Sequence, residues 1–493
     1  MNAQTRKKGD IHGIKAWISS SKTKRMLKTK RVSKPSPKTR KNTKTAKKTI
    51  IPTMNLLLKK RCPDPANCIS FDYLLNIAIL TYFNNFHDFQ YLKHIKKIGE
   101  DSQNGFVNLL TYEKEEYVAY AVLKSSVQPN TDNLYYEYLV GKFLNKQLEY
   151  FPCFINTYGA FYYNNDKSWQ NVKEENIQVS KLNSNLIPIP DATSEPGIIN
   201  NLEISCSKSK YITILVEYLK AVSFKDKYPL TLNIFDINDT CELCSNLFQI
   251  YMPLMCLKNN FTHYDLHPGN ALLTQPSKNK YIEFYYHMKN NVIVSFKSYY
   301  VSKIIDYGRC FFKDETNSDI DGYSLKIHQQ LGRINACEPD SGIEVGYWLL
   351  QDNRNTSDYH YLELITKNQS QDLRLLHYYY NHLSLINKPQ LVLDTAYGKK
   401  ESKATGLPNN INNVTDACKY LQDVLVSDDF KKINNDVYSN ASKFGDLHIF
   451  MDETPIYFVE ANVNTPLKRN ILLNSPTSKK INKLVTPFMM DTD

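Results

Sequence analysis

The sequence predicts a mixed α+β fold: a strand-rich first half, one linking strand and a helix-rich second half, behind a disordered basic tail. Three observations predict it. Alternating and β-branched runs dominate residues 91–219. An apolar stretch of helical character, 240–259, opens the second half. Finally, the basic charge is confined to one end. Residues 1–50 hold 17 of the 61 Lys and Arg and a single acid, Asp10. The remainder holds 44 basic and 49 acidic residues, so the net charge of +11 belongs to the tail.

That segregation bounds the function classes. A chain of 493 residues that is 42% hydrophobic and 12% aromatic can bury a core. The body has no basic field that forces nucleic acid on it. Residues 1–50 cannot bury enough apolar surface to offset their ordering entropy and are expected to be disordered. Their functional reading is a nuclear-targeting or nucleic-acid-binding arm, in which Lys and Arg neutralise phosphates. Phosphorylation in the run Ser36-Pro37-Lys38 would weaken that contact. The plainer reading is a solvated tail. The ten cysteines are scattered, and no secretory signal is visible, so reduced thiols in the cytosol or nucleus are expected. The longest apolar run, 73–83, is too short to span a bilayer.

In chain order, residues 69–90 read as a helix, with Phe71, Leu74, Leu75, Ala78 and Ile79 at helical spacing. "GFVNLLTYEKEEYVAYAVLKS" reads as two strands around the turn "YEKEE". Residues 132–148 read as an amphipathic helix, and "CFINTYGAFYY" (153–163) as a strand pair. The polar stretch 164–209, with Pro188, Pro190 and Pro196, reads as a long loop or insertion. "YITILVEYL" (211–219) is a buried strand. Residues 240–259 form a buried helix with a kink expected at Pro253. Short alternating runs follow, with an added hairpin at 280–300, and beyond 310 the chain reads as mostly helical.

The chemistry sits in "FTHYDLHPGNALL" (261–273), where His263, Asp265, His267 and Asn270 fall within eight residues. His263 and His267 have the spacing of two zinc ligands on a helix face. However, Pro268-Gly269 breaks a helix there and no Glu follows the first His. Phosphoryl transfer fits better. It needs a carboxylate for the attacking hydroxyl, oxygen ligands for Mg²⁺, a cation on the phosphates and a loop above them. Asp265 and Asn270 can supply the base and one ligand. "KIIDYG" (303–308) offers a second carboxylate, Asp306, with Gly308 expected to make the sharp turn.

"HYDLHPGN" resembles the catalytic loop of protein kinases, and "DYG" resembles their metal-binding triplet. "IGEDSQNGFV" (98–107) is similar to the glycine-rich loop through Gly99, Gly105 and Val107. "AVLK" (121–124) is similar to the lysine strand, "LVEYL" (215–219) to the hinge with Glu217, and Glu137 is the candidate partner of Lys124. The likeness covers about residues 92–380, and whole phrases resemble the serine/threonine kinases of large DNA viruses. Within it, Asp372 of "NQSQDLRLL" is the carboxylate expected to tie the catalytic loop to a helix.

The resemblance implies a bilobal protein-kinase-like fold, with a tail at 1–62, a strand-rich N-lobe at 63–219, a helical C-lobe at 220–455 and an extension at 456–493. It implies ATP and Mg²⁺ as cofactors. Asp265, Lys124 and Glu137 are the catalytic residues, Gly99, Gly105, Val107, Lys124 and Glu217 bind the nucleotide, and Asn270 and Asp306 bind the metal. A protein hydroxyl is the expected acceptor, in host cytoplasm, nucleus or virion, with no membrane.

The sequence departs from the pattern in five ways. The glycine loop is one residue longer and has Asp101 and Ser102 near its missing middle glycine. Tyr264 replaces an arginine that pairs with a phosphorylated loop. His267 replaces a phosphate-directed lysine, and "DLHPGN" also resembles small-molecule kinases. Val122 narrows the adenine roof, and the Asp265–Asp306 gap is long. The alternatives are therefore a small-molecule kinase and a scaffold without catalysis. As turn residues, Asp265 and Asn270 need no function, and Cys241-x-x-Cys244 reads as core thiols.

Overall fold

A computed structural model of the chain describes residues 70–87, 89–99, 105–127, 134–191, 208–229, 236–312, 372–380 and 411–461, with scattered positions 57–59, 62, 65, 68, 197, 201, 314 and 383. The tail, Asp101 and Ser102 lie outside these residues.

The first half builds a six-stranded sheet in the order β1-β2-β3-β6-β4-β5. Its strands are β1 (Leu92–Ile98), β2 (Gly105–Lys114), β3 (Tyr117–Ser126), β4 (Thr157–Tyr163), β5 (Leu186–Pro188) and β6 (Ile212–Glu217). Every neighbouring pair is antiparallel. The register places Ile98, Val107, Lys124, Ile214 and Ala160 opposite one another, so their side chains share one face. On that face lies the helix Leu134–Asn145, which an earlier helix, Tyr73–Tyr82, precedes in the chain. Tyr135 and Tyr138 of Leu134–Asn145 pack on Ala160, Tyr162, Ile212 and Ile214.

The helix at Leu134–Asn145 is buried on nearly all sides, including Glu137, and is not the amphipathic helix expected. Segment 153–163 holds one strand, Thr157–Tyr163, rather than a pair. All seven of its residues are buried, so alternation cannot mark its two faces.

The opposite face of the sheet is also covered. The helix Tyr73–Tyr82 is capped by the Asp72 carboxylate, which accepts from the Leu75 N–H. Just beyond it, Phe86 meets Tyr112 edge-on at 4.8 Å. Residues 164–209 are not a plain loop. They contain a helix, Asp166–Lys173, capped by Asn165, and then the edge strand β5. Trp169 of that helix packs edge-on against Phe106 and donates from Nε1 to the Ser126 carbonyl at 2.9 Å. Pro188 sits on the edge strand, where its missing N–H costs no ladder bond.

The second half is organised by the helix Ile237–Cys256, buried from Thr240 to Leu254 and running through Pro253 without a break. Three strands, β7 (Ala221–Ser223), β9 (Ala271–Thr274) and β12 (Val301–Ile304), form one sheet in the order β12-β9-β7. The short strands β8 (Phe261–Thr262) and β13 (Phe311–Phe312) pair with each other. The 280–300 hairpin appears as β10 (Lys280–His287) and β11 (Ile293–Ser298).

The hairpin does not stand alone. Strand β14 (Ser442–Phe450) pairs in parallel with β10, and β15 (Tyr457–Glu460) pairs with β14. The described residues past 310 thus add strands to helices, and the boundary drawn at 455 falls between two paired strands. Phe248 meets Tyr286 edge-on at 5.0 Å and so anchors this sheet to the long helix.

Cys62 and Cys68 are joined by a disulfide with a Cα–Cα distance of 5.1 Å, which departs from the expectation of reduced thiols. Among the described residues six other cysteines, Cys241 and Cys244 among them, are free. Among the described residues no helix is long and apolar enough to cross a membrane.

Candidate functional site

The loop from 263 to 270 is built around a buried carboxylate. Asp372 accepts from the N–H groups of His263 and Tyr264, both at 2.9 Å. Tyr264 has a left-handed φ of 62°. That conformation costs a non-glycine residue about 1–2 kcal/mol, and the two bonds to the Asp372 carboxyl offset it. Burial pushes the Asp372 carboxyl above the usual range, against the pull of His263 and of the two N–H donors. Tyr251 on the long helix donates its hydroxyl to the Asp372 carbonyl at 2.8 Å, which fixes the residue from behind.

His263 is fully buried. Its Nε2 faces the Ile305 carbonyl at 3.0 Å, and its Nδ1 accepts from the Asp265 N–H at 3.3 Å. This pattern puts the ring proton on Nε2. One imidazole therefore ties the loop of Asp265 to the segment that carries Asp306. A second tie runs from the Ile305 N–H to the Asn270 carbonyl at 3.0 Å.

Asn270 donates from Nδ2 to the Asp265 carbonyl at 3.0 Å. Only the amide nitrogen can make that contact, so Oδ1 is the atom that can meet a cation. Asp265 is largely buried, and its Oδ1 accepts from Arg374 Nη1 at 3.0 Å. His267 lies farther off, with Nε2 at 4.0 Å from the same oxygen. Its Nδ1 accepts from the Gly269 N–H at 3.0 Å. Burial holds the His267 pKa below the usual histidine value; the attraction of Asp265 is countered by Arg374 and His263.

Asp306 adopts φ 68° and ψ 72°. Gly308 was expected to supply the sharp turn, yet Asp306 takes the left-handed position and Gly308 lies in a short 3₁₀ turn, Tyr307–Arg309. Tyr307 holds the turn in place. Its buried hydroxyl donates to the Ile304 carbonyl at 2.8 Å and accepts from the Ile155 N–H at 3.0 Å.

Lys124 joins the two halves of the site. Its Nζ lies 2.7 Å from Glu137 Oε2 and 2.8 Å from Asp306 Oδ1. Burial works against the ammonium charge, but Asp306 and Glu137 outweigh it and hold Lys124 well above the ordinary lysine value. Burial pushes the Glu137 carboxyl up, against Lys124 and a bond to the Tyr307 backbone. The Asp306 side chain is 45% exposed, so it is the member of the trio open to a ligand.

The remaining predicted residues divide. Val107 stands directly opposite Lys124 in the β2–β3 ladder, on the same face. Gly105 begins β2 so close to β3 that a Cβ there would lie 2.2 Å from the Ser125 carbonyl oxygen. Gly99 has φ +70°, which favours glycine. Glu217 closes strand β6. Its carboxylate accepts from the N–H and Nδ2 of Asn156 at 2.9 and 2.8 Å, and its own N–H donates to the Asn156 carbonyl. Strand β6 thus turns the Glu217 carboxylate toward Asn156, on the sheet face opposite Lys124.

The donor set fits a hard divalent cation. Asn270 Oδ1 and the Asp306 carboxylate are oxygen ligands of the kind Mg²⁺ takes. Asp265, Asp306 and Glu137 also place three acidic groups against the cations Lys124 and Arg374. Arg374 was missed by the sequence reading. The visible signal was "DLR", an acid and a base two residues apart at the start of an apolar helix. Spacing alone did not say that the base turns to Asp265.

No family model and no curated protein matches the chain. Among solved structures, a crystal structure described as a kinase domain matches with a TM-score of 0.25 and 16% identity. The match covers 46% of this chain and about half, 52%, of that one. A likeness at that level carries no weight of its own.

Proposed function

We propose that the protein is an ATP-dependent phosphotransferase with a bilobal kinase-like arrangement, which moves the γ-phosphoryl group to a serine or threonine hydroxyl of a protein. The observation that carries this reading is the chain Glu137–Lys124–Asp306, closed at 2.7 and 2.8 Å and tied through Ile305 to the loop of Asp265 and Asn270. A turn motif without function has no need to bring a strand lysine, a helix glutamate and two loops to one point.

In this reading Asp265 orients the acceptor hydroxyl and takes its proton. The acceptor oxygen bonds to the γ-phosphorus as the bond to the β,γ-bridging oxygen breaks, and ADP leaves. Lys124, steadied by Glu137, grips the α- and β-phosphates. Residues 98–107 cover them, with Gly99, Gly105 and Val107 at the margins. Asn270 and Asp306 would hold Mg²⁺, which would neutralise phosphate charge when bound. The partly exposed Asp306 carboxylate, beside Lys124, would be one of its oxygen ligands. The basic residues 1–50 serve as an arm for nucleic acid, and the protein acts in a viral setting, in host cytoplasm or nucleus.

Thermal melting with ATP tests the reading. At millimolar ATP the midpoint should rise by about 2–8 °C with Mg²⁺ present. The rise should vanish without Mg²⁺ and in Asp306→Asn. No shift in the wild-type protein would sink the phosphotransferase reading. A panel of peptides and small hydroxyl metabolites then separates a protein acceptor from a small-molecule one.

A further inference from the structure

The transfer reaction needs positive charge on the acceptor side as well as at the β-phosphate. On that side the loop 263–270 contributes Asp265, Asn270 and two histidines, and no lysine or arginine. His267 cannot fill the need as a cation. Its Nδ1 is an acceptor for the Gly269 N–H, so the ring carries one proton, and burial disfavours a second. Meanwhile Asp265 and Asp306 both bear on this ring, as does Arg374. Among the described residues a cation that meets Asp265 comes from outside the loop: Arg374, at 3.0 Å.

We propose that Arg374 is the positioning residue of Asp265, holding its carboxylate toward the acceptor hydroxyl and supplying the positive charge that the loop lacks. The proposal rests on the phosphotransferase reading above.

The local structure supports a built contact. Arg374 opens the helix Arg374–Tyr379 two residues after Asp372, whose carboxylate binds the backbone of His263 and Tyr264. Tyr251 clamps the same stretch by donating to the Asp372 carbonyl and accepting from the Leu376 N–H at 2.9 Å. Arg374 therefore stands on a backbone fixed at both sides, facing a loop fixed by the same carboxylate. Its guanidinium lies beside the Tyr378 ring, 5.8 Å from the centroid. A planar, always-charged group is suited to fixing a carboxylate's orientation, where a lysine fixes only a distance. During transfer the proton moves from the acceptor hydroxyl to Asp265 as the new oxygen–phosphorus bond forms. A carboxylate held in one orientation meets that proton without a search.

The test uses the full chain and release of the γ-phosphate of Mg·ATP, with water as acceptor, so that no protein substrate need be known. Arg374→Ala should lower kcat roughly 100-fold, with the KM for ATP changed less than about threefold and the Mg·ATP thermal shift retained. Guanidinium at millimolar concentration should restore at least about a tenth of the lost rate, which a purely structural role would not allow. Arg374→Lys should fall between wild type and Arg374→Ala. A kcat within about threefold of wild type in Arg374→Ala, or a loss that guanidinium leaves untouched, would overturn the proposal alone. Absence of both Mg·ATP binding and turnover in the wild type would overturn the phosphotransferase reading and this proposal with it.

Discussion

The two acidic loops of the site are held in opposite ways. The loop of Asp265 is fixed by hydrogen bonds to its own backbone. Asp372 takes two of its N–H groups, His263 takes a third, and Asn270 gives to the Asp265 carbonyl. The Asp306 segment is anchored by the Tyr307 hydroxyl, but the Asp306 side chain is half in solvent and pairs with a cation, Lys124. Backbone bonds do not dissociate when a ligand arrives, whereas an ion pair at a partly exposed carboxylate exchanges readily. In the proposed reaction the first loop would hold a proton acceptor still, and the second would offer its carboxylate to a metal.

The largest effect should come from the group at the centre of the rigid loop. Asp265→Ala should lower turnover of Mg·ATP by at least about 1000-fold while leaving Mg·ATP binding in place. Retained turnover would show that the rigid loop holds something other than the base. By contrast, Asp306→Asn should lose Mg²⁺-dependent binding itself, so the two variants separate transfer from binding.

The second effect is on stability. Asp372→Ala leaves the N–H groups of His263 and Tyr264 without their acceptor. At about 1–3 kcal/mol for each buried unpaired group, unfolding free energy in denaturant should fall by several kcal/mol. A loss under about 1 kcal/mol would mean that the loop keeps its shape without the carboxylate, and the contrast between the loops would then be weaker than drawn.

The smallest effect on the site belongs to an acid outside both loops. Glu242, on the long helix, is pushed up to about 7 by burial, although Ser298 donates to it at 2.6 Å and Tyr438 also donates to it. A carboxyl raised in the folded state favours folding below its unfolded value, near 4.5, and that stability is lost as pH rises through about 7. Glu242→Gln should flatten this part of the stability profile, worth on the order of 3 kcal/mol, and leave Mg·ATP binding unchanged. An unaltered profile would remove Glu242 as its source. A change in binding would couple the helix core to the site.

Much of the site was legible because its signals are local. Alternation in 105–126 marked two strands, and the ladder then put Val107 beside Lys124. The short spacing from Asp265 to Asn270 marked one loop. Glu137 was legible as the candidate partner of Lys124 only through the resemblance; the packing of its helix on the sheet is what brings the two to 2.7 Å. The parallel pairing of β10 with β14 joins segments more than 150 residues apart and leaves no trace in either strand's own pattern.

By itself, then, the sequence determined the strand and helix periodicities, the order of the acidic and basic motifs and the segregation of basic charge into residues 1–50. These follow from side-chain chemistry read along the chain. Tertiary structure alone decided that Asp306 and not Gly308 takes the left-handed turn, that the Glu217 carboxylate serves Asn156, and that Arg374 meets Asp265. Each of these depends on which surfaces come to face each other. A side chain's partner is chosen by distance in space, and spacing along the chain does not carry that distance.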